Sequence, residues 1–200
     1  ILRATDWGLI DRSTDEGATW LKPGGLPECD GIRRMLVTED GSETIFLVAH
    51  VKELVSKQWG VYRSTNGGAS FVKVTGMGTF PGDLWATRTG ATVLYAAKSG
   101  KVQRSLDLGG TWTDAGSMTV AGDAELTGSE AGAPRLWAVL NESGAHKLYR
   151  SDDAGGSWTY LTTLTDYWDC LGDSITNADL FCYGGVELWN KDDGVYYDVL

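Results

Sequence analysis

The chain has 200 residues, 42% of them hydrophobic, and 27 Asp and Glu against 17 Lys and Arg leave a formal charge of −10. This is enough for a buried core in one or two domains, and the acidic balance without any Lys/Arg cluster excludes a phosphate-backbone partner, so no nucleic acid is expected. No run approaches the roughly 20 apolar residues of a membrane helix, so no membrane insertion is expected. The N-terminus lacks the basic-then-apolar order of a signal peptide, and Ile1 in place of Met marks a chain that is processed, trimmed or part of a larger polypeptide or assembly. With 27 Gly and 9 Trp but only 4 Pro, the composition describes many tight turns and aromatic packing centres, which points to an all-β fold.

The elements recur in chain order. The first unit, about residues 1–23, reads as strands in "ILRATD" and "WGLIDRS", a turn carrying Ser13, Asp15, Gly17 and Trp20, and a strand from "WLKP". The second, about 30–75, opens on "GIRRMLV" and "IFLVAH", then "WGVYRS", a turn with Ser64, Asn66, Gly68 and Phe71, and "FVKVT". The third, about 82–116, runs through "GDLWATR", "LYAAKSG", "GKVQRS", the turn of Ser105, Asp107, Gly109 and Trp112, and "WTDAG". The fourth, about 119–163, repeats the order with "GDAELTG", "LWAVLN", "HKLYRS", the turn of Ser151, Asp153, Gly155 and Trp158, and "WTYLTT". The fifth, about 167–200, has "WDCLGDS", "LFCYGG" and "VELWN", with Asn190, Asp192, Gly194 and Tyr197 as a weaker turn.

The serines Ser13, Ser64, Ser105 and Ser151 stand 51, 41 and 46 residues apart, in the range of propeller blades or solenoid repeats. Each turn has a local logic. The hydroxyl and carboxylate accept backbone N–H bonds, the glycine supplies a positive φ, and the aromatic ring opens the next strand and covers the loop. Four antiparallel strands per unit, repeated radially, predict a β-propeller of about five blades treated as a single domain, the first blade lacking its innermost strand. The ring is expected to be either part of a larger propeller or a five-bladed one whose closing strand is absent from this sequence.

The boxes at 13–20, 64–71, 105–112 and 151–158 resemble the Asp-box, or BNR repeat, of sialidase-like, xyloglucanase-like and sortilin-like propellers. The resemblance implies that the box is a structural turn between the third and fourth strands, on the face away from the binding site. A metal-loop reading of "SDDAGG" or "NKDDG" is the lesser alternative, and neither metal nor cofactor is expected. Arg12, Arg63, Arg104 and Arg150 each directly precede a box and belong to the blade; Arg33, Arg34 and Arg88 fall on expected inner strands and form the one anion-gripping set.

At the opposite end, the inner-strand starts align Asp83, Asp123 and Asp169, with Asp30 as a fourth and Trp85, Trp168 and Tyr167 nearby. Carboxylates beside aromatic faces suit a sugar, and paired carboxylates serve glycoside hydrolysis. Equally, each Asp can satisfy backbone N–H groups at the start of its strand. The Arg-Ile-Pro type motif that the resemblance would place in a sialidase is missing, as is the xyloglucanase "TDVGG" type pattern, so no catalytic residue is assigned. His50 and His146 are isolated from each other and from the cysteines. The reading is a non-catalytic binding or structural module of an extracellular, cell-surface or virion protein, with a glycan or protein partner; the alternative is part of a glycoside hydrolase whose catalytic residues lie partly outside this chain.

Cys170 and Cys182 flank a hairpin for which a turn centred on Thr176 would set them opposite each other, within disulfide reach; two free thiols are the other reading, and Cys29 stays single or pairs elsewhere. A bridge, with the Asn141-Glu142-Ser143 sequon, would support an oxidising setting.

Overall fold

The computed structural model describes residues 1–4, 10–51, 58–77, 81–88, 90–98, 101–116, 118, 124–130, 134–164, 170–173, 181–184, 188–192 and 195–198. Every regular element among them is a strand, and no helix is long and apolar enough to cross a membrane. Strands β1 (Leu2–Ala4) and β2 (Ile10–Arg12) pair antiparallel, and a bridge from Arg12 to Leu21 adds a rung. Four four-stranded sheets follow: β3 (Cys29–Val37), β4 (Ile45–Val51), β5 (Gln58–Ser64), β6 (Val72–Lys73); β7 (Pro81–Ala86), β8 (Leu94–Lys98), β9 (Lys101–Ser105), β10 (Thr113–Asp114); β11 (Ala124–Ser129), β12 (Arg135–Glu142), β13 (Ala145–Ser151), β14 (Thr159–Leu164); and β15 (Cys170–Asp173), β16 (Phe181–Gly184), β17 (Leu188–Asp192), β18 (Val195–Asp198). In each, spatial order follows chain order and all pairs are antiparallel. The first strand of each sheet packs on that of the next, β3 on β7, β7 on β11 and β11 on β15. Meandering sheets related in this way are the blades of a β-propeller.

The core lies between blades. Along β4, Ile45, Leu47, Ala49 and Val51 cover Ile10 of the first sheet, while Phe46 and Val48 face Leu84, Leu94 and Ala96 of the third. A strand sandwiched on both faces must be apolar at every position, which is why "IFLVAH" shows no alternation. The third and fourth blades meet likewise, Trp85, Tyr95 and Ala97 against Leu126, Leu136 and Ala138. Each fully buried Leu, Val or Phe of these interfaces contributes about 1.5–3 kcal/mol.

Four boxes close on themselves by one pattern. The Oγ of Ser13, Ser64, Ser105 and Ser151 accepts the N–H of Gly17, Gly68, Gly109 and Gly155 at 2.7–2.9 Å and donates to Asp15, Asn66, Asp107 and Asp153 at 2.8 Å. The carboxylate then takes the N–H and hydroxyl of Thr19, Thr111 or Ser157; Asn66 keeps the geometry by donating its Nδ2 to Ser70 Oγ at 2.8 Å. The fifth copy differs: its ladder continues from Asn190–Tyr197 to Asp192–Val195, leaving a two-residue connection, and Gly194 lies outside the described residues.

Arginines before the boxes tie neighbouring blades together. Arg12 Nε donates to the Gly67 carbonyl at 2.7 Å and Arg63 Nη1 to the Leu108 carbonyl at 2.8 Å, the same box position one blade on. The chain leaving the first box and the third box also docks on the box that follows. A Cβ at Gly25 would stand 2.1 Å from the Phe71 carbonyl oxygen, and one at Gly116 would stand 2.4 Å from that of Gly155, both at positive φ.

The register between β15 and β16 differs from the one centred on Thr176. Cys170 pairs with Gly184 and Cys182 with Gly172, so the hairpin is centred one residue later, on Asn177, and the cysteines sit diagonally. Their Cα atoms are then about 7–8 Å apart, past the usual span of a disulfide. Their side chains lie outside the described residues. Cys29 is buried and free, its thiol donates to the Pro27 carbonyl, and burial pushes its pKa up.

Candidate functional site

Asp83 and Trp85 are the described members of the set formed by Asp83, Asp123, Asp169, Trp85 and Trp168; Asp123, Asp169 and Trp168 lie outside the described residues, and Asp83 enters first. It enters on β7, where a bulge between Pro81 and Asp83 shifts the register. Its carboxylate is 1% exposed. Arg34 of β3 grips it with Nε at 2.8 Å and Nη2 at 2.5 Å, and the backbone N–H groups of Leu84 and Leu126 donate to its two oxygens at 2.8 and 3.0 Å. Three blades therefore meet at one carboxylate. Beside it, Arg33 donates to the Gly82 carbonyl at 2.9 Å. Of the two readings offered for the inner-strand aspartates, Asp83 takes the second: it satisfies backbone donors and one arginine, and does not open to a ligand.

Asp30 also has a partner. A bulge between Cys29 and Gly31 turns it onto His50 Nδ1, so His50, isolated in sequence, shares a hydrogen bond with a neighbouring strand.

Space also opens further along the inner strands. A cavity of about 370 Å3 is lined from four inner strands, by Arg34 to Val37, Leu84 to Arg88, Thr127, Leu171 and Gly172. These are the later halves of β3 and β7 and the residues that follow, nearer the box hairpins than the inner-strand starts. Trp85 lines it, 5% exposed, with its ring 5.8 Å from that of Tyr95 and its indole N–H without a hydrogen-bond partner among the described residues. Met35 and Val37, on the same wall, are exposed apolar side chains. Sequence reasoning missed Thr127 and this end of the channel; the available signal was the polar alternation Glu125, Thr127, Ser129 on β11, all buried. Among the described residues, no group of three or more His, Cys, Asp or Glu is placed to hold a metal ion.

No family model and no curated protein matches the sequence. Solved structures do. YCF48 bound to a D1 peptide aligns over 98% of this chain at a TM-score of 0.57 and 16% identity, and this chain spans 62% of that protein. A putative exo-β-1,3-galactanase from Bifidobacterium bifidum aligns over 96% of this chain and 82% of its own at 0.57 and 12% identity. An α-L-arabinofuranosidase from Fusarium graminearum, in complex with an iminosugar inhibitor, aligns over 95% and 72% at 0.53 and 14% identity. The chain is a β-propeller. At these identities the likeness is one of fold, and the propeller's task must be argued from its own residues.

Proposed function

We propose that this propeller is a non-catalytic binding or structural module of an extracellular, cell-surface or virion protein, taking a glycan or protein ligand. The observation that carries the reading is the state of Asp83. A general acid or nucleophile must touch its substrate, and this carboxylate is buried, bound at both oxygens and held by Arg34. Propellers of this fold include one captured with a peptide and enzymes named for sugar cleavage, so the fold accommodates both classes of ligand.

A glycan array and a peptide array, run beside a hydrolysis assay on the glycans that bind, decide between module and enzyme. The expected outcome is binding without turnover. Sustained release of reducing sugar from a bound glycan would overturn the module reading and favour a glycoside hydrolase whose remaining acids lie outside this chain.

A further inference from the structure

Among the described residues the row of inner strands ends on β3. Strand β11, with β7 on one side and β15 on the other, is buried at all six positions. Strand β3 packs on β7 alone, and Met35 and Val37 near its end are 38% and 53% exposed. The ladder pairs Met35–Leu47 and Val37–Ile45 set both side chains on the face of the second blade turned toward the first, where Leu47 and Ile45 are buried with Ile10. Counted from the box serines, which pair with Ile45 and Leu136, the corresponding residues of the fourth blade are Leu126 and Gly128. There β7 covers them: Leu126 is 0% exposed, and a Cβ at Gly128 would stand 2.9 Å from the Trp85 ring. What separates the two cases is an inner strand on the preceding blade.

The first blade presents an edge for such a strand. Ile1 and Ser13 exchange N–H···O bonds at 2.9 Å, the hydrogen-bonded kind of antiparallel pair, so by alternation Leu2–Arg12 and Ala4–Ile10 are the other kind. The N–H and C=O groups of Leu2 and Ala4 therefore point away from β2, and among the described residues β1 has no second neighbour. The site is preformed. The first box keeps its hydrogen bonds, Ile10 is buried and Arg12 is tied to Gly67. A blade that holds its shape without a fourth strand can exchange that strand, which favours an occupant from another molecule over one required for folding.

We infer that the first blade binds an extended segment of a partner protein by strand addition, its backbone on the outward groups of Leu2 and Ala4 and a large apolar side chain over Met35 and Val37. Strand β7 shows the fit: it pairs Trp85 with Tyr95, the counterpart of Leu2, and packs Trp85 against the fourth blade. This rests on the module reading and narrows its ligand to a peptide strand.

The probe is an end-blocked synthetic peptide copying residues 81–88, "PGDLWATR". Calorimetry on the intact chain should show single-site binding tighter than about 1 mM. By NMR hydrogen exchange, the Ala4 amide should be fast in the free chain and slowed by the peptide. The same peptide N-methylated at the residue copied from Trp85 loses an inter-strand donor and should bind about ten-fold weaker or less. Val37→Asp, at an exposed side chain, and Ala4→Pro, which removes an outward N–H, should each weaken binding several-fold while the circular dichroism spectrum stays unchanged. No binding at roughly 1 mM peptide, equal binding of the methylated peptide, or binding indifferent to both substitutions would overturn the inference. So would an Ala4 amide already protected in the free chain, which puts a segment of the chain itself on the edge, or a dimer abolished by Ala4→Pro, which puts a second copy there. Failure of the module reading looks different, because it appears as glycan turnover in the hydrolysis assay whatever the peptide does.

Discussion

Arg63 donates to the carbonyl of Leu108 across a blade boundary, at 2.8 Å, and Leu108 is a non-glycine residue held at φ 54° in the next box. The carbonyl it exposes is thus aimed by the box itself. Arg63→Met should lower stability by about 1 kcal/mol, since it removes one charge-assisted bond at a partly exposed site. Arg104→Met, which precedes a box but shows no such bond to the box of the fourth blade, should cost less; equal melting shifts for both would sink the blade-tie role.

The box carboxylates make the fold acid-sensitive. Asp15 is lowered from 3.8 to about 2, first by the Thr19 hydroxyl, and Asp107 and Asp153 fall to about 2, first by the Thr111 and Ser157 backbone N–H groups. A depressed folded-state pKa means that the unfolded chain binds more protons, so this stabilisation is complete above about pH 4 and is lost as pH falls toward 2. Asn66 already fills one box without a charge. Asp107→Asn should therefore fold, and its melting temperature should fall less steeply between pH 4 and 2 than that of the parent. Parallel curves would remove Asp107 from the acid response.

Removing the Asp83 carboxylate takes its bidentate partner from Arg34 and leaves two backbone donors unmet. Asp83→Ala should cost about 3–5 kcal/mol in urea unfolding, and Arg34→Met combined with it should cost less than the sum of the two single changes. An Asp83→Ala cost under about 1 kcal/mol would contradict the buried three-blade junction.

Gly116 and Gly144 both adopt positive φ, +70° and +86°, but a Cβ at Gly144 meets nothing within 4 Å whereas one at Gly116 meets the Gly155 and Gly156 carbonyl oxygens at 2.4 and 2.6 Å. Gly144→Ala should cost about 1–2 kcal/mol, the left-handed backbone term alone. Gly116→Ala should cost clearly more, because it must also separate the linker from the fourth box. Similar denaturation midpoints would show that the linker does not dock there.

The diagonal placement of Cys170 and Cys182 predicts no bridge between them. Peptide mapping under non-reducing conditions should find both thiols alkylated after unfolding. A linked Cys170–Cys182 peptide would instead restore the register centred on Thr176, and with it support for an oxidising setting.

Local chemistry was enough to determine the blades. A hydroxyl, a carboxylate and a glycine at fixed short spacing close a loop wherever they occur, so Ser105, Asp107 and Gly109 declared their turn before any packing was known. Uninterrupted apolar runs such as "IFLVAH" likewise announced strands buried on both faces. The fate of the charged groups was a tertiary matter. Asp83 and Arg34 are 49 residues apart, and so far along the chain no spacing rule pairs them; only the packing of β3 on β7 brought them together and turned a candidate ligand-binding acid into a buried junction. The cavity at the other end of the channel, the contact of Asp30 with His50 and the docking of Gly116 on the next box arose in the same way, from surfaces that meet only when blades stack. Hairpin register was the intermediate case, because two residues more between the partners move Cys170 from opposite Cys182 to opposite Gly184, and turn composition does not encode so small a difference.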